Sequence, residues 1–182
     1  MFDSFIVSIL IYACEVSGFS KSKEIERIHL KFCKKILMCK MNTPTTAVYG
    51  ELGRYPLYIS RYLRILKYWF ILIQSDNIIM QTVYKISYED CFKGKKMWVS
   101  NVKKLLYDCG FNYAVDNQTV VNEVVFLSMF KHRIIDCFLQ EWYTSKSNSC
   151  MLKLYHHVKG RFEYEHYLDI VPFDVRYVLL RL

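Results

Sequence analysis

The chain is predicted to be all-α, an irregular multi-helix bundle of about 7–9 helices with no substantial sheet. Three observations predict this. Apolar residues recur at three- and four-residue spacing along almost the whole length, the period of an amphipathic helix and not of a half-buried strand. Only 6 Gly and 3 Pro occur in 182 residues, too few turn formers for a many-stranded sandwich or barrel. More than half the residues are hydrophobic, with 15 Tyr, 12 Phe and 3 Trp among the aromatics, enough for a real core and too many for a disordered chain.

The first element expected is an apolar helix over about residues 3–14, Phe5-Ile6-Val7-Ser8-Ile9-Leu10-Ile11-Tyr12-Ala13-Cys14 at its centre. The run resembles the apolar part of a signal peptide, but Asp3 stands where basic residues are needed. It is also about half a membrane span, so it reads as a buried helix. Gly18 and Ser20-Lys21-Ser22 break it. A basic amphipathic helix follows over about 22–40. Arg27, Lys31, Lys34 and Lys35 fall within an arc of about 100°, opposite Ile25, Ile28, Phe32, Cys33 and Ile36. Thr43-Pro44 reads as an N-cap with proline in the first helical position. Gly50 and Gly53 end that short helix, and Pro56 opens the next.

A second strong amphipath is expected over about 57–74. Ile59, Leu63, Leu66, Phe70 and Ile73 mark one face, and Arg61, Arg64 and Lys67 share an arc of about 120° on the other. Asp76-Asn77 separates it from a weaker helix near 78–90. Gly94 precedes a helix over about 95–108 that buries Trp98, Val99, Val102, Leu105 and Leu106, and Gly110 closes it. A loop is expected at 111–118. The longest helix spans about 119–144, with Phe130, Ile134, Phe138 and Trp142 at every fourth residue. Shorter helices are expected near 150–158 and 161–169, and a last one from 173. The organisation expected is a basic segment over 1–75, including the apolar N-terminal helix, with a helical region over 76–182 packed on it, or a single domain made of both.

Charge singles out one stretch. Residues 21–75 carry eleven Lys and Arg against Glu24, Glu26 and Glu51. That excess of +8 equals the net charge of the whole chain, so the rest cancels. An excess confined to one segment fits a polyanion footprint better than the same excess spread evenly, although a solvated face gives the same pattern. The candidate nucleic-acid-binding residues are Arg27, Lys31, Lys34, Lys35, Arg54, Arg61, Arg64 and Lys67. Tyr55, Tyr58, Tyr62 and Tyr68 lie among these arginines, and that interleaving is what base stacking beside phosphate contact needs.

No catalytic or metal constellation emerges. Two-metal chemistry needs several convergent carboxylates, and the one adjacent acidic pair, Glu89-Asp90, sits in a weakly patterned helix. Glu163-x-Glu165-His166 matches no zincin spacing. Cys137 lies near His132 and Asp136 but is turned to another helix face. The seven cysteines form no Cys-x-x-Cys and precede no His pair at zinc spacing, so no metal and no cofactor is expected. They read as reduced thiols of an intracellular protein, in cytoplasm or nucleus. No transmembrane segment is expected.

The motifs also have an order. Lys31-Phe32-Cys33-Lys34-Lys35-Ile36-Leu37 is followed by Thr43-Pro44-x-x-Ala47-Val48-Tyr49-Gly50-Glu51-Leu52-Gly53-Arg54-Tyr55-Pro56-Leu57, then by Arg64-Ile65-x-Lys67-Tyr68-Trp69. Trp98-Val99-x-x-Val102-Lys103-x-Leu105-Leu106, Lys131-x-Arg133-Ile134-Ile135-Asp136-x-Phe138-Leu139-Gln140-x-Trp142 and Tyr164-Glu165-x-Tyr167-Leu168 come after them. This series resembles the thumb and linker region C-terminal to the polymerase core in non-LTR (LINE-type) retrotransposon reverse transcriptases. The resemblance implies contact with RNA or an RNA/DNA duplex. It does not imply catalysis, since the palm carboxylates have no counterpart here, and the chain reads as a fragment truncated at both ends. The family's Tyr-Gly-x-Glu-x-Trp entry appears as Tyr12-Ala13-Cys14-Glu15-Val16-Ser17, without its glycine and tryptophan. A non-catalytic module with residual RNA or DNA backbone binding is therefore expected. An inert retroelement remnant and a helical protein-interaction module are the alternatives.

Overall fold

The computed structural model describes residues 2–120 and 122–171. The helix expected from 173 lies outside them. Among the described residues the chain is all-α, with an isolated antiparallel bridge, Leu52 to Tyr164, and no sheet. The helices are α1 (Val7–Leu10), α2 (Cys14–Ser17), α3 (Lys23–Leu37), α4 (Thr45–Leu52), α5 (Leu57–Ile73), α6 (Ile78–Phe92), α7 (Trp98–Asp108), α8 (Asn112–Asp116), α9 (Glu123–Asn148), α10 (Lys153–Val158) and α11 (Tyr167–Ile170). These eleven exceed the expected count because short helices of four to six residues join the long ones.

The chain divides into two compact units, one of Met1–Lys21 with Tyr58–Ile134 and one of Ser22–Leu57 with Ile135–Leu182. The boundary expected at 75/76 falls inside the first unit. The basic segment 21–75 is thus split, with α3 and α4 in one unit and nearly all of α5 in the other.

The first unit has an aromatic centre. Trp69 and Phe70 of α5 are fully buried, and Phe126 meets the rings of Phe70 and Phe111 edge-on at 5.5 and 5.2 Å. Val99, Val102, Leu105 and Leu106 of α7 close the same core. Helix α6 starts on a satisfied cap, Asn77 Oδ1 accepting from the Ile79 and Met80 amides at 2.9 and 3.2 Å. It nonetheless buries no residue. The segment expected as a loop at 111–118 winds into α8, because Ala114 and Val115 are needed in the core.

The N-terminal apolar run is neither one helix nor buried. Phe2–Ile6 forms a π-helical turn, α1 lasts one turn, and Ala13 adopts a left-handed conformation (φ 52°) before α2. Phe5, Ile9, Tyr12 and Val16 are exposed, and Cys14 alone of the apolar run is buried. Helix α1 already ends at Ile11 (φ −105°), and the left-handed alanine then separates it from α2.

The second unit is built on Cys33 and Leu37 of α3, Val48, Tyr49 and Leu52 of α4, and Phe138 and Trp142 of α9. Phe162 meets Tyr55, Phe138 and Trp142 at 5.1, 5.3 and 5.3 Å. The helix expected at 161–169 shrinks to α11 because the chain before it is held extended beside α4, with the Glu165 amide donating to the Glu51 carbonyl at 3.0 Å. Among the expected core residues, Phe32, Ile36, Leu63 and Trp98 are half-buried; Leu66, Phe70, Phe130, Ile134, Phe138 and Trp142 are buried.

Candidate nucleic-acid interface

Helix α3 carries the clearest basic surface. Arg27, Lys31 and Lys35 are exposed at four-residue spacing, which places one above the next about 6 Å apart along the axis. Among the described residues no carboxylate lies within ion-pair distance of any of the three. The acids of the same helix have partners of their own. Glu24 accepts from the Ser22 hydroxyl at 3.3 Å, and Glu26 accepts from the Leu57 amide at 3.0 Å. Both sit in the first turn, where the helix dipole favours negative charge.

Lys34 does not belong to that surface, contrary to expectation. It is 6% exposed, and its ammonium donates to the Met41 carbonyl at 2.5 Å. The reason is the turn after α3: Met38 adopts a left-handed conformation (φ 56°) and the chain folds back, leaving a carbonyl for Lys34 to satisfy. Arg54 is half-buried, its guanidinium 5.7 Å over the Phe32 ring.

On α5 the basic arc is mostly consumed. Arg61 is 1% exposed and, against expectation, offers nothing to a ligand in solvent. Arg64 reaches solvent but donates to the Ile11 carbonyl at 3.2 Å and lies 3.7 Å from Glu15. Burial pushes the Cys14 thiol up, and the nearby Glu15 adds to it; Arg64 and Arg61 pull the other way. Lys67 remains exposed. Arg27, Lys31, Lys34, Lys35 and Arg54 belong to one unit and Arg61, Arg64 and Lys67 to the other.

The interleaved tyrosines are also engaged within the protein. Tyr55 packs on Phe138 at 5.8 Å as well as on Phe162. Tyr58 is buried under the Lys21 ammonium, 4.7 Å from its ring centroid. Tyr62 donates to the Phe19 carbonyl at 3.2 Å, and Tyr68 meets Trp98 edge-on at 5.7 Å.

The Gly-punctuated motif after α3 is a packing hub. A Cβ on Gly50 would stand 2.5 Å from the Tyr155 hydroxyl and 2.7 Å from the Trp142 ring. Gly53 caps α4 in the left-handed region (φ 55°), and a Cβ there would meet the Tyr164 amide nitrogen at 2.6 Å. The Trp142 indole donates to the Thr46 carbonyl at 2.7 Å. Beside the hub a cavity of about 400 Å³ is lined by Glu51, Tyr155, Lys159, Glu165 and Tyr167. Its polar groups serve one another. Lys159 bonds Glu165 and the Glu163 carbonyl, and Tyr167 donates to Glu51. Burial, with Glu51 alongside, pushes the Tyr155 hydroxyl far above the usual tyrosine range.

Among the described residues no group of three His, Cys, Asp or Glu is placed to hold a metal ion, and all seven cysteines are unbridged. No helix among those residues is long and apolar enough to cross a membrane. Lys93, Lys95, Lys96, Lys103 and Lys104 were not singled out from the sequence, since charges outside 21–75 cancel when summed. A local count over twelve residues would have found them. Set against family models, curated proteins and solved structures, the chain matches none.

Proposed function

We propose that the chain is a non-catalytic helical module that binds the RNA or DNA backbone through the solvent-facing cations of α3. The reading also takes it as a fragment of a non-LTR retrotransposon reverse transcriptase, on the ordered motifs. One observation carries the binding: Arg27, Lys31 and Lys35 are exposed in register while the acids of their own helix are held at its N-terminus. Cations so placed neutralise phosphates and release counterions, a sequence-independent attraction that salt weakens. No array of base-reading side chains accompanies them, so sequence preference is slight.

The test is titration of structured and single-stranded RNA at two salt concentrations. The proteins are the wild type and a triple Arg27→Glu, Lys31→Glu, Lys35→Glu variant. The variant is expected to lose at least about tenfold in affinity at the lower salt. Equal binding by both proteins would sink the assignment to α3. Protein docking is the second reading, favoured by α6, where Ile78, Ile79, Val83 and Ile86 are exposed; it predicts partner binding that salt barely changes.

A further inference from the structure

We propose that the cleft between the end of α6 and α7 is a second contact for a single nucleic-acid strand, taking phosphates on Lys96 and Lys104 and a base against Phe92 or Tyr107. The cleft has a volume of about 370 Å³, and Lys95, Lys96, Ser100, Lys103, Lys104 and Tyr107 lie in its wall. Gly94, at φ 79°, makes the turn that brings the two helices side by side, a conformation that a side chain would strain.

The lysines divide by partner. Lys95 pairs with Asp90 at 2.9 Å, and Lys93 lies 3.8 Å from the same carboxylate. The Lys95 bond, above all, holds the Asp90 carboxyl below the usual carboxylate range. Lys103, in the cleft wall, stands 4.5 Å over the Phe92 ring and 5.5 Å from that of Tyr107, so it links the end of α6 to α7. Lys96 and Lys104 are exposed, with no carboxylate within ion-pair distance among the described residues. Among the described residues, Asp108 is the lone acid in the cleft wall. Phe92 and Tyr107 are 59% and 44% exposed, whereas Tyr58 of α5 is buried and Tyr62 and Tyr68 are half-buried.

Two open ammonium groups with Tyr107 in the same wall, its hydroxyl held by Asp116 at 2.8 Å, and Phe92 beside Lys103 suit a strand better than an isolated anion. Stacking is sequence-tolerant, and phosphate contact tracks the backbone. A duplex has no unstacked base to offer, so single strands are preferred. The inference rests on the nucleic-acid reading above, but on different residues.

The experiment titrates single-stranded oligouridine RNA and, separately, inorganic polyphosphate of matched charge. The proteins are the wild type, Lys96→Glu/Lys104→Glu, Lys96→Gln/Lys104→Gln, Phe92→Ala and the α3 triple variant, each checked for unchanged helicity and urea midpoint. The Lys96/Lys104 reversal is expected to weaken RNA binding about tenfold and to flatten the log affinity against log salt slope by about 1.4, near 0.7 per phosphate. The glutamine pair should give the same direction with a smaller loss. Phe92→Ala should lose about tenfold with an unchanged slope, the mark of stacking and not of charge. Unchanged RNA binding by both lysine pairs overturns the cleft, and if the α3 triple then fails, the α3 reading survives alone. Loss in the cleft variants with a normal α3 triple supports the cleft and overturns α3. Polyphosphate bound as tightly as RNA, with Phe92→Ala silent, overturns the strand in favour of an anion patch. A wild type that binds no RNA overturns both.

Discussion

On α3, Arg27, Lys31 and Lys35 stand in solvent above a helix that buries one side. On α5, Arg61 is 1% exposed, Arg64 is held by Ile11 and Glu15, and Lys67 alone projects freely. Both helices show the same alternation of cations and apolar residues. The difference is how far each is enclosed. Leu57, Tyr58, Ile59, Ile65, Leu66, Trp69 and Phe70 of α5 are all buried, on more than one side of the helix, so enclosure extends beyond the single apolar face of an amphipath. A cation on such a helix is surrounded along with its neighbours. An angular position on a wheel tells which residues share a side; it does not tell whether that side is wet.

The largest expected effect is therefore a stability effect on α5. Arg61→Ala should lower stability by about 2–4 kcal/mol, through lost packing of a long buried stem and abandoned polar contacts. Lys35→Ala on α3 should stay within about 0.5 kcal/mol. Urea denaturation of both variants checks this. An Arg61→Ala protein as stable as the wild type would put Arg61 back on the surface and erase the contrast.

Next in size is the split in salt dependence. Reversing Arg27, Lys31 and Lys35 should flatten the log affinity against log salt slope by about 2–2.7, and reversing Lys67 by about 0.7–0.9. Equal flattening by the two would show that α5 contacts nucleic acid as extensively as α3. A basic face of six phosphate contacts drawn from both helices would have a slope near −4 to −5; with Lys34 and Arg61 inside, the two helices supply fewer.

How much of this was legible in the sequence depends on what each residue needed. The long helices were: α3, α5, α7 and α9 follow apolar periodicity that neighbours do not override, and α6 follows the Asn77 cap and a run without Gly or Pro. The burial of Lys34 was not, since it depends on a left-handed methionine at position 38 and a carbonyl seven residues away. Nor was the shortening of α11, which depends on chain 163–165 lying beside α4, more than a hundred residues earlier. Gly50 and Gly53 were legible as special and illegible as to why. Their Cβ-free surfaces are filled by Tyr155, Trp142 and Tyr164, and no local pattern names those partners.

A smaller effect separates two adjacent residues on α3. Lys34→Ala should cost about 1–2 kcal/mol, because the Met41 carbonyl loses its donor in a part-buried turn. RNA affinity at fixed salt should change little. Lys35→Ala should do the reverse. If Lys34→Ala weakens RNA binding as much as Lys35→Ala at equal stability, the lysine swings out in solution and the α3 surface is wider than three residues.

The smallest effect tests how closed the surroundings of α5 are. The Trp69 indole on α5 donates to the Tyr84 hydroxyl at 2.9 Å, and that hydroxyl donates in turn to Gln118. Burial pushes the Tyr84 hydroxyl up to about 12. A phenol whose folded pKa lies above its unfolded value stabilises the fold fully below the unfolded pKa, near 10. That contribution fades as pH rises from about 10 through 12, because the unfolded chain ionises first. Discounted for partial exposure, the loss is roughly 1 kcal/mol. Urea midpoints of wild type and Tyr84→Phe, compared from pH 9 to 11.5, isolate it. Other tyrosines and lysines titrate in both proteins, so only the difference between them is read. The wild type should lose stability faster across that range, and the two curves should converge. Parallel curves would mean that Tyr84 ionises as readily folded as unfolded. The pocket beside Trp69 would then be open to water, and α5 less enclosed than the burial of Arg61 requires.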